Sequence, residues 1–147
     1  MNSKLLLLVS ALAALSAFSD TDPIDQLVSG TGPEEYVACT GMKDVRNYAF
    51  CDNRSIRSIC VPDAISVGSG AFRGCILLET IILPSLSDIS RMSGIFSGCV
   101  KLTNVYLGAL DFTSPERMNG FPWGAPNSGI IFHFRNGDFD RFGRKLN

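Results

Sequence analysis

Three features of this chain carry residue types that can do chemistry: five cysteines, a single histidine, and short runs rich in glycine and aspartate. Cys39, Cys51, Cys60, Cys75 and Cys99 are an odd number, so at least one thiol is left over from any set of disulfides within one chain. No Cys-x-x-Cys pair occurs, and one His supplies no paired ligand spacing, so a structural zinc site is not expected. His133 lies between Phe132 and Phe134 with no Ser or Cys pattern beside it, which reads as a histidine on the face of a strand rather than a general base. Asp138-Phe139-Asp140-Arg141-Phe142-Gly143 superficially has the acids of a calcium loop, but Phe142 occupies a ligand position and the closing Glu is missing. Gly68-Ser69-Gly70 is not followed by the Gly-Lys-Ser/Thr of a phosphate cradle. No catalytic residue, metal site or cofactor is therefore assigned.

The bulk properties narrow the partner class. With 46% apolar residues the chain is not disordered, and with Lys+Arg 13 against Asp+Glu 14 it lacks the basic excess of a nucleic-acid binder. Its 147 residues suffice for one small unit.

The elements that position these residues come from internal repetition. Phe72, Cys75, Leu78, Ile81 and Leu83 stand in the same order and nearly the same phase as Phe96, Cys99, Leu102, Val105 and Leu107. An upstream copy runs Phe50, Asn53, Ile56, Ile59 and Val61, with Asn53 in place of the cysteine. Ile56, Leu78 and Leu102 are separated by 22 and 24 residues. In each copy the alternation Ile59/Val61, Ile81/Leu83 and Val105/Leu107 predicts a short strand with those side chains inward. One copy cannot bury that face alone, whereas stacked copies can.

The pattern I-x-x-I-G-x-x-A-F-x-x-C-x-x-L-x-x-I-x-L-P resembles the BspA-like leucine-rich repeat family, found on bacterial and protist surface proteins and in phage-encoded proteins. The likeness rests on Ala71-Phe72-Arg73-Gly74-Cys75 and Phe96-Ser97-Gly98-Cys99, and the spacings of 22 and 24 residues fall within the range of about 20–29 that belongs to leucine-rich repeats. Ser87 to Gly94 departs from it, lacking the Ile-Gly-x-x-Ala run. The fold expected is mixed α/β but mostly β: a leucine-rich-repeat solenoid of about three rungs over residues 45–110, with an N-terminal helical segment and a C-terminal β-hairpin cap. Cys75 and Cys99 then lie on adjacent rungs, read chiefly as buried free thiols with a disulfide left open.

Outside the repeats, Leu5 to Phe18 is an apolar run behind Lys4, too short for a transmembrane helix of about 20 residues but suited to a signal-peptide core. Leu5, Leu8, Leu12 and Leu15 also fit one stripe of a retained helix that packs or oligomerises. Residues 1–19 are thus a leader or a packing helix. In 20–44, Asp22-Pro23 reads as a helix start and Gly30 as its stop, followed by a turn that leads into the body. Within 111–147, Met118 to Gly129 predicts an irregular loop anchored by Phe121 and Trp123. Ile130 to Arg135, Asn136-Gly137 and Asp138 to Phe142 predict a hairpin lid on the last rung.

If Ile81 and Leu83 face inward, the opposite face carries the columns Ser58/Thr80/Asn104 and Cys60/Ile82/Tyr106. Ser58, Thr80, Ile82, Asn104 and Tyr106 are the candidate partner-binding residues, for a protein or glycan, with solvated strand positions as the competing reading. The resemblance implies a non-enzymatic interaction module that is secreted or displayed at a cell surface. A phage structural role, with the N-terminal helix as the assembly element, is the alternative.

Overall fold

A computed structural model describes residues 36–147. Eight short strands appear in chain order: β1 (Tyr36–Ala38), β2 (Asp44–Val45), β3 (Ser58–Cys60), β4 (Ser66–Val67), β5 (Thr80–Ile82), β6 (Asn104–Leu107), β7 (Ile131–Phe134) and β8 (Gly137–Asp140). Among the described residues the helical content is one 3-10 turn, Pro115–Arg117, so the body is mostly β rather than mixed α/β. The expected helix between Asp22 and Gly30 and the stripe Leu5, Leu8, Leu12 and Leu15 lie outside the described residues.

The chain winds as a solenoid because the same apolar alternation returns once per turn. β1, β3, β5, β6 and β7 lie side by side in parallel, each joined to the next by a full turn of chain, and β8 adds antiparallel at the end. Register aligns Val37, Ile59, Ile81, Val105 and Phe132 into one inward column. Ile59, Ile81, Val105 and Phe132 have no exposed surface, nor do Val61, Leu83 and Leu107 beyond them. The inward alternation predicted for the three repeats therefore holds. A second, smaller ladder forms across the core from β2 and β4, and Asp88 bridges to Ser66 to extend it.

The array is longer than three rungs. Five parallel strands enclose about four turns, because β1 lies before the first recognised copy and β7 after the last. The hairpin predicted at Asn136-Gly137 is present, but its first strand is a member of the stack in parallel register with β6. Only β8 and the tail act as a closure. Asp140 N–H donates to the Arg144 carbonyl at 3.0 Å and Leu146 N–H to the Asp138 carbonyl at 2.8 Å, so the outer edge of β8 is already paired.

Between the two ladders, Phe50, Phe72 and Phe96 stack in a column with centroids 5.2 and 6.4 Å apart, and Trp123 continues it edge-on at 6.4 Å. Trp123, fully buried, is thus the ring of a fourth turn, and the irregular loop is folded around it. Phe96 N–H donates to the Trp123 carbonyl, and the indole N–H to the Met118 carbonyl at 3.1 Å. The turn beside this column needs a left-handed backbone. Gly74 (φ 74°) and Gly98 (φ 79°) supply it without strain, and Asp52 (φ 58°) adopts it in the upstream copy. A Cβ at Gly74 would lie 2.0 Å from Asp52 Oδ1, so the close stacking of these turns excludes a side chain there.

The cysteine column sits beside the rings. Cys75 Sγ donates to the Phe50 carbonyl and Cys99 Sγ to the Phe72 carbonyl, both at 3.0 Å, each tying one turn to the one before. No disulfide joins Cys75 and Cys99, and both thiols are free, as expected. Contact with the Cys99 thiol, together with burial, holds the Cys75 thiol far above the ordinary range. In the upstream copy Asn53 Oδ1 instead accepts from the Ser55 and Ile56 backbone at 2.9 and 3.1 Å, a polar substitute that caps its own turn.

Two expected outcomes follow from this packing. Phe72→Ala empties the middle of the ring column and lowers unfolding free energy by about 3–5 kcal/mol, measurable by urea titration. On the second ladder, Asp44 accepts from the Ser66 hydroxyl at 2.5 Å and pairs with Arg91. The Ser66 hydrogen bond, then Arg91, hold the Asp44 carboxyl below its ordinary 3.8. That stabilisation is present above the ordinary value and is lost as pH falls through the lower folded one. Thermal midpoints therefore drop on acidification below about pH 4, and Arg91→Gln makes that drop shallower.

Candidate partner-binding face

Because successive strand residues point to opposite sides, every strand that buries its central residue turns its flanking residues outward. Register then assembles the outer face: Ser58, Thr80, Asn104 and Ile131 form one column, and Cys60, Ile82, Tyr106 and His133 the next. The five candidates Ser58, Thr80, Ile82, Asn104 and Tyr106 are all on this face, in lateral register and half-buried. Cys60 differs from its column, being fully buried while standing outside the core cluster. Burial pushes its thiol up to about 11, so it is an unreactive position rather than a contact point.

The structure adds residues that the repeat pattern did not reach. His133 stacks on Tyr106 with centroids 4.1 Å apart and ring planes within 7°. Its Nδ1 lies 2.9 Å from Asp138 Oδ1 and its Nε2 3.0 Å from Asn104 Oδ1. Asn104 is itself oriented by donating from Nδ2 to Thr103 Oγ1 at 3.1 Å, and Thr103 Oγ1 donates to the Glu79 carbonyl at 3.2 Å. Four side chains from three strands are therefore locked into one planar-stacked, hydrogen-bonded group. Burial, with a contribution from the Asp138 charge, raises the Tyr106 hydroxyl above its ordinary value and keeps it a neutral donor.

This geometry defines what the histidine can do. Its ring nitrogens meet a carboxylate and an amide, not a hydroxyl or thiol, so no nucleophile is activated by this pair. Asp140, the second aspartate of 138–143, is committed to local structure. Asp140 Oδ1 accepts from the Phe142 and Arg144 backbone, both at 2.9 Å, and Oδ2 from Arg144 Nε at 2.6 Å, which closes a turn and leaves no cation loop. Among the described residues there is no group of three or more His, Cys, Asp or Glu placed to hold a metal, and no helix long and apolar enough to cross a membrane.

The signal for His133 was present in the alternation Ile130 to Arg135, which has the same phase as Asn104 to Leu107. What hid its place was the longer connection through Pro122 and Pro126, which lengthens the last turn to 27 residues between register partners Asn104 and Ile131.

Parallel strands repeated once per turn, a stacked phenylalanine and cysteine column and a laddered outer face define a short leucine-rich-repeat solenoid. Residues 40–116 match the family model for the BspA type leucine rich repeat region (6 copies), and the chain belongs to that family. No curated protein and no solved structure matches the chain. The family match ends before β7, so the last parallel strand and its hairpin extend the stack beyond the recognised repeats.

The Tyr106–His133 stack is expected to couple energetically. A double-mutant cycle of Tyr106→Leu and His133→Leu, read by urea unfolding, gives an interaction of about 0.5–1.5 kcal/mol. Additive effects would show that the two rings stand side by side without supporting each other.

Proposed function

We propose that the chain is a non-enzymatic interaction module that binds a protein or glycan partner through the outer face of its parallel sheet. The observation that carries this reading is the lateral register of Ser58, Thr80, Asn104, Ile82 and Tyr106 on a face the core does not use. The inward columns are consumed by packing, while the outer columns present hydroxyls, an amide and an aromatic ring at strand spacing, about 4.8 Å apart.

Rigidity supports the same reading. Asn104 and Tyr106 are held by Thr103 and His133 before any partner arrives, so little side-chain freedom is lost on binding. Membership of a leucine-rich-repeat family favours an interaction module over an enzyme. A site of action outside the cell, secreted or at a surface, is proposed from the family resemblance and from the leader-like run Leu5 to Phe18.

The test uses a printed glycan array and a displayed library of random peptides, probed with the wild-type chain and with the double variant Tyr106→Ala/Asn104→Ala. The expected result is a set of ligands whose retention falls at least about tenfold in the variant, equivalent to about 1.4 kcal/mol. If every ligand retained by the wild type is retained equally by the variant, the strand face is not the binding site. Circular dichroism and thermal melting of both proteins establish that the variant is folded.

A further inference from the structure

The outer face is not symmetric along the stack. Toward β3 and β5 its second column is small and apolar, with Cys60 and Ile82, and toward β7 and β8 it becomes aromatic and then acidic, with Tyr106, His133 and Asp138. The charged groups around it differ in what they leave free. Arg57 is bound to Glu79 at 3.1 Å, Arg135 to Asp111, and Arg144 to Asp140 at 2.6 Å, so these cations at the margins of the sheet are already paired. Asp138 bonds His133 through Oδ1 alone. Its Oδ2 carries no hydrogen bond among the described residues, and half of its side-chain surface, 50%, is exposed. The Tyr106 hydroxyl, close enough to feel that carboxylate, is also without a hydrogen-bond partner there.

The two outer columns themselves carry no lysine or arginine, the unpaired Lys145 lying at the margin beside Gly137, whereas a cation placed beside Asp138 would gain a charge-assisted hydrogen bond at Oδ2. The flat flank formed by Ile82 and Tyr106 would cover the aliphatic stem of that cation's chain or an apolar neighbour.

We propose that the partner is a protein segment carrying a lysine or arginine that docks on Asp138, with an adjoining apolar side chain on Ile82 and Tyr106. The proposal rests on the strand-face reading above and specifies its partner. Ile82 and Asp138 are three strand spacings apart, about 14 Å, which an extended peptide crosses in roughly four residues. The basic and apolar residues of the segment are therefore separated by about that number. Asp138→Asn is the informative variant, because the amide keeps an oxygen for His133 while removing the charge.

The experiment selects a displayed library of random peptides on the wild-type chain and reads each enriched clone against Asp138→Asn, Tyr106→Ala and wild type. Expected are clones rich in Lys or Arg, with an apolar residue about four positions away, whose binding falls about tenfold on Asp138→Asn and is weakened by added salt. Clones that lose binding on Tyr106→Ala but not on Asp138→Asn, acidic clones, or ligands found only on the glycan array overturn the basic-segment proposal and leave the strand face standing. Clones insensitive to both variants overturn the proposal together with the strand-face reading. An unchanged thermal midpoint for Asp138→Asn separates loss of recognition from loss of fold.

Discussion

Everything in this molecule depends on the inability of a single turn to bury its own apolar side chains. A three-residue strand with one inward isoleucine and one flanking aliphatic residue has nothing of its own to pack on, so Ile81 is dry only because Ile59 and Val105 lie in register on either side. The hydrogen bonds of the parallel ladder and the Phe50–Phe72–Phe96–Trp123 column enforce the same register independently. Stability is accordingly a property of neighbouring turns rather than of any one of them. The thiols reinforce this on a small scale, since each of Cys75 and Cys99 spends its donor on a carbonyl of the preceding turn.

That constraint also creates the outer face. Once register is fixed for burial, the residues between the inward positions are aligned whether or not their own chemistry favours alignment. Asn104, Tyr106, His133 and Asp138 come together because Val105, Phe132 and Phe139 must pack, and the hydrogen bonds among the outward groups then stiffen what packing has placed. A solenoid of this kind can vary its exposed columns freely while its core positions stay aliphatic or aromatic.

The repeat was legible wherever its spacing stayed near 22 to 24 residues and its Phe, Cys and Leu positions kept their phase. Inward and outward sides of β3, β5 and β6 followed from alternation alone. β1 was not legible because Tyr36-Val37-Ala38 is too short and too mild to signal a strand without the ladder beside it. The alternation of β7 and the Asn136-Gly137 turn predict a hairpin strand, but its parallel pairing with β6 depends on a long connection of irregular backbone. The stack of Tyr106 on His133 joins residues far apart in sequence, and no local pattern encodes it. The burial of Cys60 was equally hidden, since its column position is outward and only the folded environment reveals that it is covered.

The pairing of the last residues along β8 fixes the direction in which such a protein can evolve in length. With Asp140 and Leu146 donating across that margin, the β8 edge of the sheet is already engaged by residues 144–146. Duplicated repeats can be accommodated only ahead of Ile131, by pushing the terminal hairpin outward as a unit. The β7–β8 hairpin thus behaves as a movable boundary, and the reach of the outer face can change over evolutionary time by one repeat at a time without rebuilding that edge.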